Sequence, residues 1–298
     1  LSYHFIIMSM KKIFKTEFGQ AVRADAYEFM IKRIPDESVD LIVTSPPYAL
    51  LRKKKYGNED QETYLDWFCS FADEFHRILK QSGSLVIDIG GSWIKGQPSR
   101  SLYHLEMPIR LCKEHNFHLA QEFFWENTSK LPSPAEWVTV RRIRVKDAVN
   151  CIWWMSKDPF PKANNRNVLK EYSKSMVNLF EKGYNSGDRP SEHKISEKFQ
   201  INNGGAIPPN IFKVSNTGNL HKIHAYCRSK NLKLHPARFP TDIPEFFVKM
   251  LTDEGDTVFD PFAGSCTTGY VAEKNKRNWI CTDLDEEYLK GGKGWFVK

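Results

Sequence analysis

Residues 39–43 are a short β-branched apolar run that stops at Thr44, Ser45, Pro46, Pro47 and Tyr48. The pattern predicts a buried strand whose carboxyl end is cut off by the two prolines, because proline lacks the N–H that a sheet ladder needs. Between residues 62 and 80, Leu65, Phe68, Cys69, Ala72, Phe75 and Leu79 recur at helical spacing and predict one amphipathic helix. Gly83 interrupts, and residues 84–89 read as a second buried strand that ends at Gly90 and Gly91. A helix over about 104–115 follows, then strands over 119–125 and 149–155. Towards the carboxyl end the alternation is regular again: helix 244–251, strand 256–259, helix 268–274, strand 279–282. Strands alternating with helices predict an α/β fold, a mostly parallel sheet with helices on both faces.

Residues 156–231 break this pattern. They are rich in Lys, Asn and Ser, lose clear periodicity, and include Asn202, Asn203, Gly204 and Gly205 and then Pro208 and Pro209. A loop-rich insertion of this length in a compact domain points to function, here an added recognition region. The division expected is therefore 12–155, 156–231 and 232–298. Only sixteen residues, 283–298, follow Thr282, too few for another strand–helix unit. The rest of the nucleotide-binding half is expected at the amino terminus, which makes the order of the fold permuted.

Composition adds class and partner. Of 298 residues, 41% are hydrophobic and 27% charged, a globular balance. The net charge is +7, concentrated at Arg52, Lys53, Lys54 and Lys55 and again at Arg141, Arg142, Arg144 and Lys146. Such clusters suit docking on phosphates, where neutralisation releases counterions. The apolar patch before Met8 is too short to span a bilayer, and a natural start is expected at Met8 or Met10. A cytoplasmic protein with no membrane partner is the expectation. The six cysteines form no CxxC pair and read as free thiols in a reducing compartment. His221, His224 and Cys227 lack an evident fourth ligand, so they are read as a polar loop or sheet edge, and no metal is expected.

The strand at 257–259 runs into Asp260, Pro261, Phe262, Ala263 and Gly264 and then a helix, the make-up of a nucleotide crevice. No GxG is present for a dinucleotide fingerprint. Gly264 and Gly269 have P-loop spacing, but Tyr270 stands where the lysine is required. An acidic start at Asp260 instead suits a ligand with a cationic amino group. Asp283, at the end of the next strand, is placed to accept both ribose hydroxyls of an adenosine, or else is an ordinary turn residue. Asp25, just before the helix that ends near Arg33, either caps that helix or accepts from the adenine amino group.

Ser45, Pro46, Pro47 and Tyr48 carry the most specific signal. Two prolines fix the backbone and remove two donors, leaving carbonyl oxygens free to accept. An exocyclic amino nitrogen is a poor nucleophile because its lone pair is delocalised into the ring. Acceptors on its hydrogens, such as Ser45 Oγ and the Pro46 carbonyl, favour a pyramidal nitrogen and stabilise the charge that develops. Tyr48 offers a face for stacking a base. Taken alone, the same four residues also fit a rigid turn with a core tyrosine.

Ser45-Pro46-Pro47-Tyr48 together with Asp260-Pro261-Phe262-Ala263-Gly264 resembles the amino-methyltransferases of DNA restriction–modification systems. The catalytic motif first and the cofactor motif last is similar to their permuted β class. Within it, residues 44–57, 129–134, 143–150 and 235–239 resemble the cytosine-N4 enzymes. The likeness runs from about Lys12 to Tyr288 and is weakest across 156–231. It implies a Rossmann-like S-adenosylmethionine-dependent methyltransferase fold and methyl transfer to a base flipped from duplex DNA. It implies Ser45, Pro46, Pro47 and Tyr48 as the catalytic loop. Asp260, Phe262, Gly264 and Asp283 become cofactor contacts, Asp25 the adenine contact, and 156–231 the target recognition region. The segment 235–239 falls at the methionine end of the cofactor, and Trp125 falls near an active-site wall or in the core. Cys266 departs from the pattern and is given no catalytic role. Ring methylation at C5 is disfavoured because no Pro-Cys-Gln motif is present. In this family Ser at position 45 goes chiefly with cytosine N4. The alternatives are adenine N6, RNA as substrate, or a nucleic-acid-binding protein of the same fold.

Overall fold

The computed structural model describes residues 9–49, 63–183, 201–217, 221–237 and 239–297. The basic run Arg52, Lys53, Lys54 and Lys55 lies outside the described residues. In chain order the elements begin with β1 (Lys11–Lys15), β2 (Gly19–Arg23), α1 (Ala26–Arg33), β3 (Val39–Thr44), α2 (Tyr64–Cys69) and α3 (Ala72–Ile78). Next come β4 (Leu79–Gly90), α4 (Tyr103–Glu114), β5 (His118–Asn127), β6 (Val149–Ser156), α5 (Lys174–Lys182), β7 (Ile211–Val214) and α6 (His221–Ser229). The chain closes with α7 (Asp242–Leu251), β8 (Thr257–Asp260), α8 (Thr267–Lys274), β9 (Asn278–Asp283) and α9 (Glu286–Gly292).

The strands make one sheet in the order β1-β2-β9-β8-β3-β4-β6-β5-β7. β2, β9, β8, β3 and β4 run parallel, each beside the next. β6 is antiparallel to both β4 and β5. All six residues of β3 are buried, as expected of a strand covered on both faces. Its side chains alternate between two cores. Ile42 joins Met30, Phe68, Phe75 and Leu111 from α1 to α4 on one face. Leu41 and Val43 join Phe247, Val248, Val271 and Leu289 from α7 to α9 on the other.

The carboxyl-terminal strand β9 is followed in the sheet by β2, from the amino terminus, in parallel register from Gly19↔Trp279 to Arg23↔Asp283. The expected permutation is therefore built into the sheet. β3 and β8 are neighbours from which the chain continues in opposite directions across the sheet, to β4 on one side and β9 on the other. That junction is a topological switch point, where open α/β sheets form their ligand crevice at the strands' carboxyl ends.

Several segments differ from their sequence reading. The hairpin β1–β2 has no counterpart among the strands expected from the pattern. The stretch expected to be one helix holds two, Tyr64–Cys69 and Ala72–Ile78. Ser70 Oγ donates back to Trp67 O at 2.6 Å and Phe71 N turns to Phe68 O, which ends α2 before α3 begins. Leu79 already belongs to β4, paired with Val39. His221, His224 and Cys227 lie on α6, not on a loop or sheet edge. Ile223 and Cys227, four residues apart, bury one face of that helix against Trp295. Among the described residues no three His, Cys, Asp or Glu side chains gather as a metal site.

Residues 164–209 form a compact unit of their own, while 1–163 and 210–298 form the other. In the small unit, α5 is capped by Ser173 Oγ, and Tyr172 packs edge-on to Phe180 at 5.0 Å. A bridge between Lys170 and Ala206 closes it. β7 and α6, which lie within the loop-rich stretch 156–231, belong to the large unit, where β7 pairs with β5.

Candidate active site

The carboxyl ends of β2, β9, β8, β3 and β4 open onto one cavity of about 1030 Å³. Asp25, Ser45, Pro46, Pro47, Tyr48, Asp260, Phe262, Gly264 and Asp283 all line it. The nine residues read from motifs more than two hundred positions apart thus meet in one space.

At one end, the turn after β3 places Ser45 and Tyr48 over the end of β4. Ser45 Oγ donates to Asp88 Oδ2 at 3.0 Å and Tyr48 OH donates to the same oxygen at 2.7 Å. Asn150 Nδ2, from β6, donates to Tyr48 OH at 2.9 Å and to Asp88 Oδ1 at 3.4 Å. The Tyr48 ring lies against the backbone of Gly90, where a Cβ would fall 2.8 Å from Cε2. Burial pushes the Asp88 carboxyl up to about 6, while the bonds from Tyr48, Ser45 and Asn150 oppose the rise. Burial, with the Asp88 charge beside it, raises Tyr48 far above the usual phenol range, so its hydroxyl stays a donor. No described residue donates to the Pro46 carbonyl. Asp88 is absent from the residues singled out by sequence. The available signal is a single carboxylate in the otherwise apolar strand 84–89, and buried acids are rare unless held for a purpose. Asn150, on β6 across from Gly90, carries no such signal.

At the other end, Asp260 accepts from Thr44 Oγ1 at 2.8 Å, Thr268 Oγ1 at 2.7 Å and Phe262 N at 3.1 Å. It ties β3, the loop after β8 and the start of α8 together. Asp283 Oδ2 accepts from Gly264 N and Oδ1 from Asp285 N, both at 2.8 Å. Gly264 has φ +50, and a Cβ there would come within 3.1 Å of the His235 ring. Phe262 packs on Trp67 and Phe71 at 5.5 and 5.4 Å. Asp25 caps α1, accepting from Glu28 N at 3.1 Å, and also lines the cavity. Burial pushes Asp260 and Asp283 each up to about 6 and raises Asp25 as well.

Among the described residues no lysine, arginine or histidine forms an ion pair with Asp25, Asp260 or Asp283. Three acids in one crevice, none of them ion-paired among the described residues, favour a bound cation. A ligand with a sulfonium and an ammonium group meets that need, and S-adenosylmethionine carries both. The residues present therefore fit it.

Trp125 is buried, lines the cavity, and donates from Nε1 to Val214 O at 2.9 Å, so it is wall and core at once. Arg141 and Arg142 stand exposed at the end of a π-helical turn, Glu136–Val140. Arg141 pairs with Glu136 at 2.7 Å and lies 5.1 Å over the Trp137 ring. Neither arginine lines the cavity.

Comparison with known proteins follows the same lines. The sequence model of a family described as DNA methylase, the N6/N4 methyltransferases, matches residues 39–293. The chain is 48% identical over 282 residues to the type II methyltransferase M.PvuII of Proteus hauseri, covering 94% of this chain and 84% of that one. It superposes on a solved structure named as the cytosine-N4-specific PvuII DNA methyltransferase with a TM-score of 0.79 and 41% identity. That match covers 97% of this chain and 89% of the other. A protein of Thermus thermophilus solved in complex with S-adenosyl-L-methionine shares the fold, with a TM-score of 0.57 at 22% identity. There the match covers 92% of this chain and 91% of the other.

Proposed function

This chain belongs to the DNA methylase family of N6/N4 methyltransferases, and from that premise we propose that Ser45, Pro46, Tyr48 and Asp88 methylate the N4 amino group of a cytosine flipped from duplex DNA. The observation that carries the reading is the Ser45–Asp88–Tyr48 cluster, which faces the same cavity as the Gly264 loop.

S-adenosylmethionine supplies, when bound, a methyl group on a sulfonium, an electrophile that needs placement rather than activation. Ser45 Oγ turns its hydrogen to Asp88, which leaves its lone pairs to accept one amino hydrogen of the base. The Pro46 carbonyl accepts the other. With both hydrogens held, the amino lone pair is drawn out of the ring, and positive charge growing on nitrogen meets a carboxylate one bond behind Ser45. The proton that the nitrogen must lose passes by Ser45 Oγ to Asp88. A carboxyl held near 6 suits a transient proton acceptor at neutral pH. Tyr48, anchored by its hydroxyl to Asp88 and Asn150, offers its ring to the base.

Asp260 and Asp283 hold the cofactor loop in shape and give the crevice its negative charge. Gly264 keeps backbone where a side chain would meet His235. Residues 164–209, within the stretch 156–231, serve as target recognition region. Arg141 and Arg142, with Arg52, Lys53, Lys54 and Lys55, meet DNA phosphates. No helix among the described residues is long and apolar enough to cross a membrane, and a cytoplasmic setting follows from a DNA substrate.

Transfer of labelled methyl from S-adenosylmethionine to duplex DNA and to structured RNA tests the reading. Label is expected in the duplex. Ser45→Ala is expected to lower turnover by roughly 10²-fold with cofactor affinity kept. Label on RNA alone, on no nucleic acid, or loss of cofactor binding in the variant would each contradict it.

A further inference from the structure

Lys130 follows β5 in a tight turn that Asn127 holds together. Lys130 N donates to Asn127 O at 3.2 Å, while Ser129 N and Oγ donate to Asn127 Oδ1 at 3.2 and 3.0 Å. Lys130 lines the same cavity as Ser45, Tyr48 and Asp88. It is half-buried, and burial pulls its ammonium below the ordinary lysine range, against the attraction of Asp147 and Asp88. Neither carboxylate comes within the 4.0 Å of an ion pair with it. Asp147 is paired with Arg100, and Asp88 is taken up by Ser45, Tyr48 and Asn150. No described residue accepts a hydrogen bond from Lys130 Nζ. A half-buried cation whose neighbouring carboxylates are committed elsewhere has no protein acceptor among the described residues, and a ligand in the cavity it lines can supply one.

The flipped base supplies that acceptor. With its amino group held by Ser45 beside Asp88, cytosine presents ring N3 and then the carbonyl O2 further along the same edge. Adenine held the same way presents a ring nitrogen and then only C–H. O2 lies roughly 4–5 Å from the amino nitrogen, the width of a base edge that such a pocket reads. A cation that lines the same cavity but lies beyond ion-pair reach of Asp88 suits that far end of the ring better than the amino end. Phosphates have the exposed Arg141 and Arg142 to meet them, whereas Lys130 is half-buried and lines the cavity.

We propose that Lys130 donates a hydrogen bond to the O2 carbonyl of the flipped cytosine and so selects cytosine over adenine, a role that rests on the methyl-transfer reading above. The selection is of the stronger kind, since a site built to pair a polar group rejects a base that leaves it unpaired.

The experiment is a cycle between protein and base. Two duplexes are made around a cytosine that the wild-type enzyme methylates. One keeps cytosine and the other carries a 6-aminopyridin-3-yl C-nucleoside, which retains the amino group and ring nitrogen but lacks O2. Wild-type enzyme and Lys130→Met are compared on both by kcat/KM, with Lys130→Arg as the conservative variant. Removing either partner is expected to cost roughly 10- to 100-fold, the range for one hydrogen bond to a charged group. Removing both is expected to cost no more than removing one, with Lys130→Arg recovering part of the activity on cytosine alone. Independent, multiplied losses would overturn the proposal, as would a Lys130→Met defect that appears as weaker S-adenosylmethionine binding. A defect equal on both duplexes, with the salt slope of DNA binding reduced by about one, would assign Lys130 to a phosphate and overturn it too. Should Lys130→Met fail to fold, wild-type enzyme indifferent to loss of O2 is sufficient to refute it. A wild-type enzyme that methylates no cytosine would instead bring down the methyl-transfer reading itself, and this inference with it.

Discussion

Replacing Asp88 by Asn keeps the shape of the side chain and removes its charge. Ser45 Oγ and Tyr48 OH both donate to Oδ2, so the amide oxygen can keep those two bonds, while the amide nitrogen faces Asn150 Nδ2, also a donor, and the long 3.4 Å bond there is given up. The larger loss is the anion behind the reacting nitrogen. Ser45 Oγ is 3.0 Å from the carboxylate, and one further hydrogen bond puts the amino nitrogen roughly 5 Å away. A unit charge at that distance is worth about 3 kcal/mol at an effective dielectric near 20. A half-developed charge in the transition state is worth half as much, so kcat is expected to fall roughly 10- to 200-fold. Single-turnover methyl transfer at saturating cofactor and DNA reads that number directly. The pH profile supplies an independent sign. The carboxyl is pushed up to about 6 by burial, and its ionised form is the active one. Wild-type turnover therefore falls as pH drops through about 6, and the Asn variant loses that limb. Turnover within twofold of wild type, or an unchanged acid limb, would refute the charge argument. Loss of cofactor binding would place Asp88 in the wrong half of the cavity.

Three more outcomes follow from the same geometry. Asp88, Asp260 and Asp283 are each raised from 3.8 to about 6 by burial. Each therefore lends stability below its unfolded value that is lost as pH rises through about 6. A cationic ligand favours the ionised carboxylates, so the rise in Tm given by S-adenosylmethionine is expected to be larger at pH 7.5 than at pH 5.5, and calorimetry should show protons released on binding. Gly264→Ala puts a Cβ at φ +50 and within 3.1 Å of His235 Nε2. It is expected to cost about 1 kcal/mol of stability and to weaken cofactor binding more than DNA binding, both read by titration. Exchanging residues 164–209 for those of a relative with another target is expected to change which sequence is methylated while leaving cofactor affinity within twofold, as mapped by sequencing methylated DNA.

What is legible in the chain is what lies in short contiguous runs. The strand 39–43 with its two prolines, and the strand, glycine turn and helix from 257 to 274, announce themselves because one local rule governs each. The permutation is legible from motif order, since Ser45 to Tyr48 precede Asp260 to Gly264 in the chain. The β1–β2 hairpin escapes a sequence reading because Lys11, Lys12 and Lys15 make it look like a solvated start; its pairing with β9 is set by residues at the far end of the sequence. Asp88 is hidden for the opposite reason: in a buried strand the apolar run draws the eye and the single acid passes as an exception. Its partners Ser45, Tyr48 and Asn150 come from two other segments, and only the sheet order brings them together. The His221, His224 and Cys227 spacing looks like loop because its apolar positions, Ile223 and Cys227, have no visible partner until Trp295 closes over them.

The central claim is that Ser45 presents its oxygen to an amino group, and to that of cytosine in particular. DNA methylated by the wild-type enzyme, digested to nucleosides and resolved by mass spectrometry, tests it most directly. N4-methylcytosine is the expected product. N6-methyladenine would overturn the choice of base and the role given to Lys130, and 5-methylcytosine would overturn the amino-group chemistry altogether.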